Sequence, residues 1–121
     1  MASPAATAPA NHNIEPVLAE LRVLLGDRLS TAEAVRTHHG KDESWTLPAL
    51  PDAVAFALST GEISEILKIC SKHEFPVVPF AAGTSLEGHV IPARGGLSID
   101  VNGMDKVLQV NAGDLDVTVQ P

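Results

Sequence analysis

Hydrophobic residues in the first third of the chain recur at the spacing of a helix. Six apolar residues would share one helical face: Ile14, Val17, Leu18, Leu21, Leu24 and Leu25. Asn13 stands before this run as a candidate N-cap, and Gly26 follows it as a natural stop. A second, short helix is expected over residues 31–36. The polar, proline-interrupted residues 38–51 predict a loop.

The middle of the chain predicts a strand–helix–strand unit. Residues 53–57 are a short apolar run between turn residues, which indicates a buried strand. Ser59 and Glu62 have the spacing of a capping box at the start of a helix. The apolar face of that helix would contain Ile63, Ile66, Leu67 and Cys70. A strand over residues 77–80 completes the unit, which is expected to be right-handed with parallel strands.

The last part of the chain has the two-residue period of β-strands. Residues 97–101 predict one strand, and residues 107–110 and 115–119 predict a hairpin. Apolar and polar residues alternate in the second arm, so one face should be buried and the other solvated. This order favours an α+β fold, with helices packed on a small mixed sheet, over a doubly wound sheet. Because nothing evident covers this arm, we expect the natural protein to continue beyond Pro121.

Composition excludes several classes of function. Of the 121 residues, 45% are hydrophobic, which suffices for a folded core, and the formal charge of −7 disfavours nucleic acids and anionic membranes. No apolar run approaches the roughly 20 residues of a membrane span. Residues 1–11 lack the features of a secretory signal and predict a disordered tail, and no arginine precedes Arg22, which disfavours a mitochondrial transit peptide. We expect a cytoplasmic protein, peripheral to a membrane at most.

The segment richest in chemical information begins with the last two residues of the predicted strand 77–80 and continues into the loop that follows. We call residues 79–88 the 79–88 loop. Its sequence is Pro79, Phe80, Ala81, Ala82, Gly83, Thr84, Ser85, Leu86, Glu87 and Gly88. Small residues let backbone N–H groups approach a ligand, and consecutive N–H groups form a concavity that suits phosphate. The segment lacks the Walker A and Rossmann patterns. On residue types alone, a plain surface turn remains an equal alternative.

Other candidate residues carry weaker signals. His38 and His39 match no standard metal spacing, and their segment is expected to be a solvated loop without an assigned role; no metal site is predicted. Cys70 is expected to be a buried apolar residue, and His89 a polar residue at a loop edge. The position of Trp45, over a core edge or a partner domain, is left open. Three carboxylates are expected in turns or on solvent faces: Asp100, Asp114 and Asp116.

The order of several short motifs resembles one family of flavoproteins. The sequence PVVPF at residues 76–80, GTSLEGH at 83–89, GGLSID at 95–100 and VTVQP at 117–121 is similar to the FAD-linked oxidases with a PCMH-type FAD-binding domain. The D-lactate dehydrogenase and glycolate oxidase branch looks most similar. The resemblance covers residues 38–121, and its most specific part is the GTSLEG core.

This resemblance implies that the 79–88 loop contacts the FAD pyrophosphate. The implied cofactor-binding residues are Pro79, Phe80, Ala81, Ala82, Gly83, Thr84, Ser85 and Gly88. Relatives commonly have glycine where Ala81 stands, and a Cβ at positive φ would cost about 1 kcal/mol or more. Some relatives attach FAD through a histidine in this loop. The loop has none here, so non-covalent FAD is expected.

The resemblance also implies a function for the intact enzyme. It would transfer a hydride from a D-2-hydroxy acid, such as D-lactate, to FAD, and then electrons to a cytochrome or quinone. Residues 51–121 would be the first part of the FAD-binding domain, after a helical segment and loop at 12–50. Catalytic residues would lie beyond Pro121, so the fragment alone should be inactive. Alternatives are another substrate, such as glycolate or an ether-lipid precursor, and a small non-catalytic α+β binding module.

Overall fold

The computed structural model describes residues 13–121 as two helices and a short third one packed around a four-stranded sheet, followed by a separate hairpin. The expected disordered tail at residues 1–11 lies outside the described residues. The helices are α1 (Glu15–Leu25), α2 (Glu33–His38) and α3 (Thr60–Lys72). The strands are β1 (Leu29–Ser30), β2 (Ala53–Phe56), β3 (Val77–Phe80), β4 (Leu97–Asp100), β5 (Val107–Asn111) and β6 (Asp116–Val119).

Helix α1 buries the apolar face that its sequence predicts. Its N-cap is Ile14, whose side chain makes no capping hydrogen bond, so the prediction of Asn13 as the cap is wrong. Pro16 lies in the first turn, where a missing N–H leaves no helical bond unmade. Gly26 ends the helix with a φ of 57°. Four buried side chains face the sheet and α3: Val17, Leu18, Leu21 and Leu25.

The order of strands in the main sheet is β1-β2-β4-β3. Strand β4 lies between β2 and β3 and is parallel to both, whereas β1 is antiparallel to β2. Strands β2 and β3 therefore run parallel, as predicted, but they pair through β4 rather than with each other. The carboxyl ends of β2, β3 and β4 consequently meet at one edge of the sheet, which is where parallel sheets usually bind ligands.

Helix α3 begins with half of the predicted capping box. The backbone N–H of Glu62 donates to the Ser59 hydroxyl at 3.2 Å. The Glu62 carboxylate instead accepts from the backbone N–H of Leu58, one residue before the cap, and from Arg28. Cys70 lies on the buried face, and its burial raises the pKa of the thiol to about 11. The expectation of an unreactive, buried cysteine is confirmed.

The C-terminal hairpin pairs β5 with β6 in a second sheet. Both arms are exposed apart from the half-buried Asn111, and Val117 and Val119 remain 53% and 54% exposed. The prediction that one face of this arm is buried is therefore wrong for residues 13–121. Alternation determines which side chains share a face, but not whether another element covers that face. Along the described chain, every helix is too short or too polar to cross a membrane.

Candidate functional site

The 79–88 loop leaves the sheet at the carboxyl end of β3, beside the end of β4. It borders a surface pocket of about 450 Å³. Seven of the eight residues predicted from the resemblance line this pocket, and Gly88 does not. The lining residues are Pro79, Phe80, Ala81, Ala82, Gly83, Thr84, Ser85, His89, Val90 and Val101. The structure thus brings the predicted residues together in one concave surface.

Two glycines allow the loop to fold tightly against its neighbours. Gly83 has a φ of 70°, and a Cβ there would lie 2.6 Å from Cζ of Phe80. Gly88 has a φ of 75°, and a Cβ there would lie 2.5 Å from the hydroxyl oxygen of Thr46. Both positions combine a left-handed backbone with a close neighbour, and other residue types would be strained there. The loop conformation therefore depends on glycine at its middle and at its end.

Backbone N–H groups of the loop are available to a ligand. Within residues 13–121, the N–H groups of residues 81–85 donate no hydrogen bond to another backbone or side-chain group. Five consecutive amides without protein acceptors, beside a pocket, can together bind an anion such as a diphosphate. Neither lysine nor arginine occurs among the residues that line the pocket. The arrangement therefore fits an anion held by backbone dipoles rather than by a side-chain charge.

Ala81 fits its position without strain. Among the described residues, only Glu74 and Leu115 have positive φ without being glycine. Ala81 therefore has an ordinary backbone conformation, and its Cβ carries none of the left-handed penalty considered from the sequence. Alanine at this position therefore carries no left-handed backbone cost.

The segment between α2 and β2 packs against the loop, and the expectation of a solvated loop is wrong for His39, which is buried. The backbone N–H of Glu43 donates to the carbonyl of Ser85 at 3.1 Å. Thr46 lies under Gly88, as the close approach to that glycine shows. The carboxylate of Asp42 accepts from Ser44, which lowers the pKa of Asp42. This segment therefore contacts the 79–88 loop at both Ser85 and Gly88.

A buried histidine and carboxylate lie directly beneath the start of the loop. His39 is only 3% exposed, and its Nε2 is 2.7 Å from a carboxylate oxygen of Asp100. Its ring packs against Phe80, with centroids 4.4 Å apart. Asp100, expected in a turn or on a solvent face, is instead 6% exposed at the end of β4. Its place at the carboxyl end of an apolar strand was the one sequence signal that could have identified it.

His89 lies at the exposed rim of the pocket. Its Nδ1 is 3.0 Å from the hydroxyl oxygen of Ser85. This position agrees with the expectation of a polar residue at the loop edge. Trp45 is 84% exposed and covers no core edge within the described residues. In the part of the chain that the structure describes, no group of three or more metal-ligating side chains comes together.

The architecture and the pocket define the class of protein. Residues 51–121, more than half of the chain, match the family described as FAD binding domain. The chain therefore belongs to this family of PCMH-type FAD-binding domains, and the resemblance drawn from its motifs is confirmed.

Curated relatives are flavin-family enzymes of greater length. The chain is 39% identical over 109 residues to a probable mitochondrial D-lactate dehydrogenase of Danio rerio, covering 89% of this chain and 22% of that protein. It is 37% identical over 107 residues to a mitochondrial D-lactate dehydrogenase [cytochrome] of Arabidopsis thaliana, covering 87% and 19%. A glycolate oxidase subunit of Bacillus subtilis is 37% identical over 95 residues, covering 78% and 20%. The chain thus spans about a fifth of these relatives.

Solved structures share the fold at lower identity. An alkyldihydroxyacetonephosphate synthase superposes with a TM-score of 0.78 at 23% identity, covering 93% of this chain and 25% of that chain. A 4-ethylphenol oxidase from Gulosibacter chungangensis superposes with a TM-score of 0.76 at 22% identity, covering 88% and 22%. These likenesses establish the predicted α+β fold as the N-terminal part of such FAD-binding domains.

Proposed function

We propose that this chain is the first part of the FAD-binding domain of a dehydrogenase that oxidises a D-2-hydroxy acid such as D-lactate. The observation that carries the proposal is the row of free backbone N–H groups at residues 81–85, which borders the pocket at the carboxyl edge of the sheet. In this interpretation residues 51–121 begin the domain and residues 12–50 precede it as a helical segment and loop. The D-lactate dehydrogenases among the relatives support the class of substrate.

The residues of the loop fit the diphosphate of FAD. Ala81, Ala82, Gly83, Thr84 and Ser85 would donate backbone N–H groups to its oxygens, and the two hydroxyls could add further donors. Pro79 and Phe80 would set the entry of the loop, and Gly88 its exit. Since the loop contains no histidine, we propose that the cofactor is held without a covalent bond. FAD supplies the hydride acceptor for the reaction; the protein binds and orients it.

The proposed partners of the whole enzyme are a 2-hydroxy acid and an electron acceptor. One relative is named a D-lactate dehydrogenase [cytochrome], which supports a cytochrome over a quinone as the acceptor. The chain has a formal charge of −7, and neither lysine nor arginine lines the pocket. Both features disfavour a nucleic acid or an anionic membrane surface as a partner. The expected location of the protein is the cytoplasm, whereas two of its relatives are named mitochondrial. Fluorescence microscopy of the tagged full-length protein would distinguish these two locations.

Replacing Gly83 by valine tests the role of the loop. We expect Gly83→Val to abolish flavin retention in the full-length protein, because its Cβ meets the Phe80 ring and its backbone is left-handed. The matched control is Gly113→Val, where the structure leaves open space around the new Cβ and φ is not positive. Flavin absorbance after desalting is the measurement. Equal retention by the two variants would show that the loop does not bind the cofactor.

Reduction of the bound flavin tests the class of substrate. Under anaerobic conditions, D-lactate should bleach the flavin absorbance of the full-length protein, whereas L-lactate should not. Glycolate distinguishes the related substrate. A flavin-retaining protein that is bleached by none of these acids would contradict the proposed substrate while leaving cofactor binding intact. A full-length protein that never binds flavin would favour the alternative of a non-catalytic binding module.

A further inference from the structure

A chain of hydrogen bonds joins the buried interior to the first residues of the 79–88 loop. It begins at the carbonyl of Val35, which lies 2.8 Å from Nδ1 of His39. It continues through Nε2 of His39 to one carboxylate oxygen of Asp100, at 2.7 Å. The other carboxylate oxygen accepts from the side-chain amide of Asn102 at 2.9 Å, and the same amide donates to the carbonyl of Ala81 at 2.8 Å.

The two ring nitrogens of His39 have different hydrogen-bond partners, which fixes the arrangement of the buried His39–Asp100 pair. The carbonyl of Val35 can only accept, so Nδ1 of His39 must carry a hydrogen. Nε2 lies 2.7 Å from the Asp100 carboxylate, so a hydrogen bond joins the two side chains. Both side chains are buried, with exposures of 3% and 6%, and both have hydrogen-bond partners. Asp100 is thereby fixed in position as an acceptor for Asn102.

The partners of Asn102 determine the orientation of its amide. Both of its side-chain contacts, the Asp100 carboxylate and the Ala81 carbonyl, are acceptors, so the NH₂ group must face them. The backbone N–H of Asn102 also donates to Asp100, at 2.8 Å, which holds the residue against the end of β4. Asn102 itself is exposed and does not line the pocket. It acts on the pocket only through the carbonyl that it holds.

Holding the Ala81 carbonyl fixes the direction of the next N–H group. The described chain contains no cis peptide bond, and in a trans peptide the N–H points opposite to the C=O. Because the Ala81 carbonyl is drawn toward Asn102, the N–H of Ala82 must point away from Asn102. Ala82 lines the pocket, and its N–H donates to no other group of residues 13–121. One side-chain hydrogen bond thus sets the peptide plane between Ala81 and Ala82, whose N–H is the second of the row at residues 81–85.

We infer that Asn102, held in place by the buried His39–Asp100 pair, is a positioning residue that orients the peptide between Ala81 and Ala82 for binding a diphosphate. This inference rests on the proposed function of the loop. It assigns a role to a side chain that does not itself line the pocket but holds the carbonyl of Ala81, which does. The role needs a hydrogen-bond acceptor at position 100, and the amide oxygen of asparagine could also accept from Asn102.

The test uses the full-length protein, freed of flavin and titrated with FAD. In Asn102→Ala we expect the dissociation constant for FAD to rise about three- to tenfold, which corresponds to one hydrogen bond. The unfolding midpoint of the apoprotein should change little, because Asn102 is exposed. The matched control is Asn111→Ala in the hairpin, which removes a half-buried asparagine whose amide donates to Asp116 and accepts from Gln109. Its affinity for FAD should equal that of the wild type.

A conservative replacement separates positioning from a general loss of structure. Asp100→Asn keeps an oxygen to accept from Asn102 and gains an N–H to donate to Nε2 of His39, so it should retain wild-type affinity within about twofold. Asp100→Leu lacks both groups and should bind FAD at least as weakly as Asn102→Ala. The inference about Asn102 would be overturned by unchanged FAD affinity in Asn102→Ala, or by equal losses of affinity in Asp100→Asn and Asp100→Leu. Either result would leave the proposed function of the loop standing. A wild-type protein that does not bind FAD would overturn the proposed function as well.

Discussion

Individual side chains outside the loop determine much of the site. Sequence patterns identified the small residues of the loop, because glycine and hydroxyl residues leave a local signal. They missed His39 and Asp100, which lie 61 positions apart and meet only in the folded chain. His39 is followed by glycine, lysine, aspartate and glutamate, a polar sequence that is typical of an exposed loop. Only tertiary packing buries its side chain. Partners of this kind are beyond the range of any local pattern.

Glu62 offers a test of electrostatics at the residue scale. The Arg28 guanidinium, followed by the backbone N–H of Leu58, lowers the pKa of Glu62 from 4.5 to about 2. A lowered pKa in the folded state stabilises the protein above the unfolded pKa, and this stabilisation is lost as pH falls. We expect Glu62→Gln to reduce the free energy of unfolding by about 1–2 kcal/mol at neutral pH. The difference should shrink progressively as the pH falls from about 5 to about 2, because the carboxylate is protonated over that range.

Urea denaturation of the two proteins at several pH values is the measurement for Glu62. Glu65→Gln is the matched control, because Glu65 pairs with Lys68 on an exposed surface and should contribute about 0.5 kcal/mol or less. A Glu62→Gln deficit that stays constant down to about pH 3 would contradict the proposed ion pair.

Single elements follow their sequence patterns closely. Helix α3 begins at Thr60 after the Ser59 cap, and α1 buries the predicted face. Helix α2 is displaced by two residues from the predicted 31–36, because the short segment lacks a capping side chain. The position of β4 between β2 and β3 could not be predicted, since periodicity identifies strands but not which strands are neighbours in the sheet.

The hairpin contains a strained position that can be tested at the level of this element. Leu115 precedes β6 with a φ of 57° and is 92% exposed, so it is left-handed without compensating packing. We expect Leu115→Gly to raise the free energy of unfolding by up to about 1 kcal/mol, because glycine adopts this φ freely. Thermal unfolding measures the change, with Gly113→Ala as a neighbouring control. A clear loss of stability in Leu115→Gly would show that the side chain makes contacts not seen here.

At the scale of the whole molecule, most of the described chain packs around the four-stranded sheet, whereas the C-terminal hairpin is open. The four-stranded sheet is enclosed by α1 and α3, whereas the hairpin exposes a row of large apolar side chains. The chain covers 22% of its Danio rerio relative, and the proposed reaction therefore belongs to the whole enzyme rather than to these residues alone. In the proposed enzyme, this chain would contribute one wall of the cofactor site, built by the 79–88 loop and the segment beneath it.

The central claim is that this loop binds the diphosphate of FAD through its backbone. The most direct measurement is an experimental structure of the full-length protein with FAD. We expect diphosphate oxygens within hydrogen-bond distance of the N–H groups of residues 81–85, with the Ala81 carbonyl still bonded to Asn102. A diphosphate bound elsewhere, with those N–H groups facing solvent or bonded to protein, would contradict it.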